Sequence, residues 1–92
     1  MSVNDVRREI DEIDNAVFLL LDRRMDCSRK MAKEKVINGT VVFDGKREDE
    51  ILQRIERNVS PQNADSVKRV YERIFDESKK VQNAFLNQYG RQ

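Results

Sequence analysis

The chain has 92 residues, 18 Lys and Arg against 17 Asp and Glu, 38% apolar residues and 7% aromatics. This fits one domain, residues 1–92, near the small end of what folds without staples. A single cysteine, Cys27, and no histidine exclude an internal disulfide, a cysteine zinc site, the usual general base and the Ser-His and Cys-His nucleophile pairs. The net charge of +1 gives no general pull toward nucleic acid or anionic membrane, so any charge-driven function must come from local placement.

Glycine and proline punctuate the chain: Gly39 and Gly45 bracket one break, Pro61 marks a second and Gly90 sits near the end. Between the breaks apolar residues recur at helical spacing. The only alternating stretch, Thr40-Val41-Val42-Phe43, is too short to make a sheet. The reading is all-α, with one long N-terminal helix, one short helix and one of medium length.

The first helix is expected over about residues 4–37, with Asn4 as N-cap and Asn38-Gly39 as the stop. Val6, Ile10, Ile13, Val17, Leu20, Arg24, Cys27 and Met31 alternate spacings of four and three, a heptad-like seam interrupted only by Arg24. Such a helix is a rod of roughly 50 Å, whereas a compact chain of this length has a diameter of roughly 30 Å. The rod overhangs its own domain, and a homodimer is the economical cover for its apolar end. The longest apolar run, Ala16 to Leu21, is far short of the about 20 residues that a membrane span needs. No secretory leader pattern is present, so a cytoplasmic address without membrane or nucleic-acid partners is expected.

The second helix is expected over about residues 45–58, capped by Asp44, with Ile51, Leu52, Ile55 and Val59 on one side. Ser60-Pro61 reads as N-cap and first residue of the third, over about residues 61–89. Its buried stripe is read as Val67, Val70 or Tyr71, Ile74, Ser78, Val81 or Gln82, Phe85 and Tyr89.

Most cations on such helices are solvated surface, and Lys30, Lys33, Arg54, Arg57, Lys68, Arg69, Lys79 and Lys80 fit that reading. Arg24 does not, because it occupies a seam position where a guanidinium needs an anion or a snorkelling stem. Arg24, Ser28, Met31 and Lys35 follow at intervals of four, three and four, so the two cations share a face about 16 Å apart along the axis. No acidic residue lies between them on that face. A structural ion pair and a site for a carboxylate or phosphate ligand are both open at this point. Arg7 stands about 25 Å from Arg24 on the same rod and can reach its pocket only from an antiparallel second copy. Asp44, Arg47 and Glu48 cluster at the start of the second helix, while Ser78 and Gln82 lie at i,i+4 on the third. Cys27 reads as a small buried hydrophobe.

Arg7 in Val6-Arg7-Arg8-Glu9-Ile10-Asp11-Glu12-Ile13-Asp14, then Leu20-Leu21-Asp22-Arg23-Arg24, Lys35, Asp44-Gly45-Lys46-Arg47-Glu48, Ser78 and Gln82 form a constellation. It resembles the all-helical, AroQ-type chorismate mutases, in their monofunctional, unfused form, over about residues 3–88. The resemblance implies an intertwined, domain-swapped homodimer with two equivalent sites. It implies an isomerase that converts chorismate to prephenate, toward phenylalanine and tyrosine. Arg24 and the partner copy's Arg7 would hold the substrate's two carboxylates. Lys35 and Gln82 would hydrogen-bond the ether oxygen of the breaking bond, and Glu48 with the backbone near Asp44 would take the ring hydroxyl. Arg47 and Ser78 would support this network. The loop before Asp44 lacks a proline often found there in the family.

A [3,3] rearrangement needs no proton transfer, covalent intermediate, metal or cofactor, so a chain without histidine suffices. An isochorismate-pyruvate lyase on the same fold is the nearest alternative, and the complete Asp44, Arg47 and Glu48 set favours the mutase. A non-catalytic helical dimerisation module is another, and it would require acidic partners for Arg24 and Lys35.

Overall fold

A computed structural model of the chain describes residues 1–38 and 44–89. Three helices account for the described fold: α1 Val3–Asn38, α2 Gly45–Asn58 and α3 Pro61–Tyr89. The Thr40–Phe43 stretch, with Gly39 and Gly90, lies outside the described residues.

Local chemistry sets the helix ends. Ser2, rather than Asn4, caps α1: its hydroxyl accepts from the Asp5 amide and its own amide donates to Asp5 Oδ2, both at 3.1 Å. This reciprocal pair satisfies two donors that helix geometry leaves open. The Ser2 amide, then its hydroxyl, holds the Asp5 carboxyl below its ordinary range. Asp44 caps α2 through its carboxylate, which accepts from the Arg47 amide at 3.0 Å. At α3, Asn63 N–H donates to the Ser60 carbonyl at 2.9 Å and Pro61 takes the first helical position, where its missing N–H is harmless.

The three helices make an elongated body of 57 × 24 × 14 Å with a radius of gyration of 16.5 Å, well above the roughly 12 Å of a compact chain this long. α3 packs against both α1 and α2, whereas the α1 and α2 backbones do not approach each other among the described residues. That leaves a gap between α1 and α2, floored by α3. The core joins Ile51 and Ile55 to Phe75, flanked by Leu52, Val59, Val67 and Tyr71. The Tyr71 ring meets Phe75 edge-on at 6.0 Å.

The expected α2 stripe is the observed one, and the α3 stripe largely so, with Val67, Tyr71, Ser78 and Gln82 turned inward. Phe75 and Ala64 are its buried apolar members, while Val70 and Tyr89 are exposed. Cys27, expected to be buried, is exposed in the single chain. So is most of the apolar seam: Ile10 is 47% exposed and Ile13 54%, with Phe18 beside them at 65%. Among the described residues no large side chain is fully buried. Among the described residues the single chain thus leaves a continuous stretch of Ile, Val and Leu on α1 uncovered.

Candidate active site

The gap between α1 and α2 is a cavity of about 300 Å³, at the lower bound of the size that takes a small organic ligand. Its α1 wall carries Arg24, Cys27, Ser28, Met31 and Lys35, the face read from the four-three-four spacing. The start of α2 supplies Asp44, Arg47 and Glu48, and α3 supplies Ser78, Lys79 and Gln82, with Ile51 and Phe75 as apolar floor. The structure therefore brings together seven of the eight residues nominated from the sequence. The eighth, Arg7, lies exposed on the N-terminal part of α1, outside the cavity.

A hydrogen-bond chain runs along the α1–α3 contact. Lys35 Nζ donates to Gln82 Oε1 at 3.2 Å, and Gln82 Nε2 donates to Ser78 Oγ at 3.4 Å. Ser78 and Ser28 hydroxyls lie 2.6 Å apart, and Ser28 Oγ donates to the Arg24 carbonyl at 3.2 Å. Lys35 and Gln82 donate in the same direction along this chain, and either hydroxyl of the Ser28–Ser78 pair can supply the proton between them. Because an ammonium only donates, the Lys35 contact places the Gln82 amide oxygen toward Lys35 and its nitrogen toward Ser78. Ser28, Ser78 and Gln82 are all buried, and satisfied buried polar groups of this kind rigidify the site they line.

Arg24 is half-buried, and its guanidinium lies over the Tyr71 ring, 5.8 Å from the centroid. Among the described residues no carboxylate pairs with it. Stacking on an aromatic face orients a guanidinium without neutralising it. On the opposite side Lys79 Nζ lies 3.4 Å from Glu48 Oε2, and Arg47 reaches Glu50 at 3.5 Å. Asp44 serves the cavity through its capping bond, which fixes the first turn of α2 where Arg47 and Glu48 stand. The charged lining comprises four cations and two carboxylates, a formal balance of +2.

Of the lining side chains that carry nitrogen or oxygen, Ser28 and Lys79 are not among those nominated from the sequence. Ser28 lies between Arg24 and Lys35 on the face already read as cationic, so its position was available although its partner on α3 was not. Lys79 carried no signal, since nothing in the sequence shows that α2's first turn lies across from it. Among the described residues no group of three or more Cys, Asp and Glu side chains is placed to hold a metal ion.

Three helices around a net-cationic cleft define a small all-helical protein suited to a compact anionic ligand. The chain belongs to the type II chorismate mutase family, whose profile matches residues 6–83. An intracellular chorismate mutase of Mycolicibacterium smegmatis is 29% identical over 63 residues, covering 68% of this chain and 61% of that protein. A chorismate mutase of Methanocaldococcus jannaschii is 27% identical over 86 residues, covering 91% of this chain and 87% of that protein. No solved structure gives a significant match. Membership supports the all-helical class, the enzyme class and the mutase activity that the resemblance implied. Among the described residues no helix is long and apolar enough to cross a membrane.

Proposed function

We propose that this cavity binds chorismate as a dianion and rearranges it to prephenate, and that the complete site is shared between two copies of the chain. The observation that carries the reading is Arg24: a half-buried cation on the cavity wall, oriented by the Tyr71 ring and unmatched by any carboxylate among the described residues. A dimerisation module would require such a carboxylate, because a seam guanidinium left without an anion is strongly destabilising.

In this reading Arg24 takes one substrate carboxylate, and Arg7 of the partner subunit takes the other. The uncovered apolar face of α1 supports the pairing, since an antiparallel second α1 would bury Ile10, Ile13 and Val17 and carry its Arg7 toward the first copy's Arg24. Lys35 and Gln82 address the ether oxygen. Of the two Gln82 amide hydrogens, one goes to Ser78 and the second is available to that oxygen. Glu48 accepts the ring hydroxyl, with the backbone near Asp44 beside it, while Arg47 and Ser78 support the carboxylate and the network.

Catalysis then has two parts. Holding both carboxylates folds the substrate into its reactive conformer, which replaces entropy that would otherwise be lost at the transition state. As the C–O bond breaks, negative charge grows on the ether oxygen, and the preoriented Lys35 ammonium and Gln82 amide stabilise it without reorganisation. No proton changes hands. The likeness to the intracellular chorismate mutase of Mycolicibacterium smegmatis supports an intracellular address for this chain as well.

The test is direct. Purified chain should consume chorismate with stoichiometric formation of prephenate and release no pyruvate from isochorismate. Pyruvate release without prephenate would assign the site to the lyase reaction, and no turnover of either would leave the module reading.

A further inference from the structure

Lys79 reads from sequence as one more solvated cation on a charged helix, yet it lines the cavity. It follows Ser78 directly and precedes Gln82 by three residues, so α3 turns all three toward the same space. Its ammonium lies 3.4 Å from Glu48 Oε2 and 3.7 Å from Asp76 Oδ1. The Lys79 and Glu48 side chains are 30% and 24% exposed, whereas Asp76 is 60% exposed. The Glu48 contact is thus the less hydrated of the two, and charges out of water interact more strongly.

A glutamate in a pocket for a dianion is electrostatically awkward. It repels the carboxylates that Arg24 and Arg7 of the partner subunit take, and its side chain has three rotatable bonds with which to swing away. A lysine bound to one carboxylate oxygen answers both problems, cancelling the local charge and leaving the other oxygen as an oriented acceptor. Without Lys79 the formal balance of this chain's own lining falls from +2 to +1.

We infer that Lys79 is a positioning residue for substrate recognition: it holds the Glu48 carboxylate against α3 by way of Oε2 so that Oε1 accepts the substrate's ring hydroxyl. The inference rests on the proposed function, and it assigns Lys79 no direct contact with substrate. Because the hydroxyl is bound alike before and during the rearrangement, the interaction is uniform and its loss falls on KM more than on kcat.

A double-mutant cycle on the full-length chain tests it, with chorismate as substrate. Lys79→Met should raise KM about tenfold and change kcat by less than about threefold, whereas Lys79→Arg should stay within about threefold of wild type in KM. In a Glu48→Gln background, Lys79→Met should add less than about a twofold change, because the group it positions has lost its charge. A full KM effect in that background would show that Lys79 meets the substrate itself and overturn the inference. So would a wild-type KM in Lys79→Met, or a lowered melting temperature with activity lost equally in the Met and Arg variants. A wild-type chain that turns over no chorismate overturns both the inference and the function beneath it. An active wild type with an indifferent Lys79→Met overturns the inference alone.

Discussion

Replacing Lys35 with alanine separates catalysis from folding more cleanly than any other change in the cavity. Lys35 is half-buried in the last turn of α1, and its ammonium reaches Gln82 Oε1 at 3.2 Å. A lysine in that turn complements the helix dipole by about 0.3–1 kcal/mol, and its hydrogen bond to a neutral amide adds about 1.5–3 kcal/mol at most. The protein therefore loses some stability, and the Gln82 amide keeps its bond to Ser78. At the transition state the loss is of another kind, since a preoriented donor to developing negative charge is worth about 2.7–4 kcal/mol. Lys35→Ala should accordingly lower kcat by about 100- to 1,000-fold while the chain keeps its helical circular dichroism and its mass in solution. Continuous loss of chorismate absorbance at saturating substrate gives kcat, and thermal melting gives the stability change. A folded Lys35→Ala variant within about fivefold of wild-type kcat would refute the placement of the ether oxygen beside Lys35.

Two further outcomes follow from the packing. Val17 lies on the uncovered α1 seam, 41% exposed in the single chain, so Val17→Glu should set a charge in a dimer interface, a change costing several kcal/mol. Sedimentation should show a monomer with lost turnover, and a monomeric Val17→Glu with full activity would separate the site from the dimer. Lys68 donates to Glu56 across the α2–α3 contact, and that bond raises its ammonium above the ordinary value of 10.5. A lysine raised on folding contributes stability that is complete below its ordinary value and lost as pH climbs past the raised one. The melting-temperature gap between wild type and Lys68→Met should therefore shrink as pH rises above 10.5. A gap that stays constant across that range would detach the pair from the stability of the α2–α3 contact.

The helices and much of the cavity were legible because they rest on local rules. Asp44 and Pro61 mark ends through capping chemistry, and the Arg24-to-Lys35 interval projects both cations onto one face whatever the rest of the chain does. Side chains whose environment is set across helices were less visible. Lys79 lines the cavity because α2's first turn faces it, and Phe75 joins the core because α3 packs it, one position beyond the expected Ile74, against Ile51 and Ile55. Cys27 shows the same limit from the other side. Its seam position suits burial, but it is exposed among the described residues of the single chain, and Arg7 likewise stands outside the cavity that Arg24 lines.

Subunit complementation tests the shared site most directly. Arg7→Ala and Lys35→Ala chains should each be nearly inactive alone, since every site lacks one member. Mixed under conditions that exchange subunits, half the dimers become hybrid, and each hybrid holds one site with an intact Lys35 and an intact partner Arg7. Activity should recover to about a quarter of the wild-type level. A mixture that exchanges, by mass, yet stays as inactive as its parents would contradict a site built from two chains.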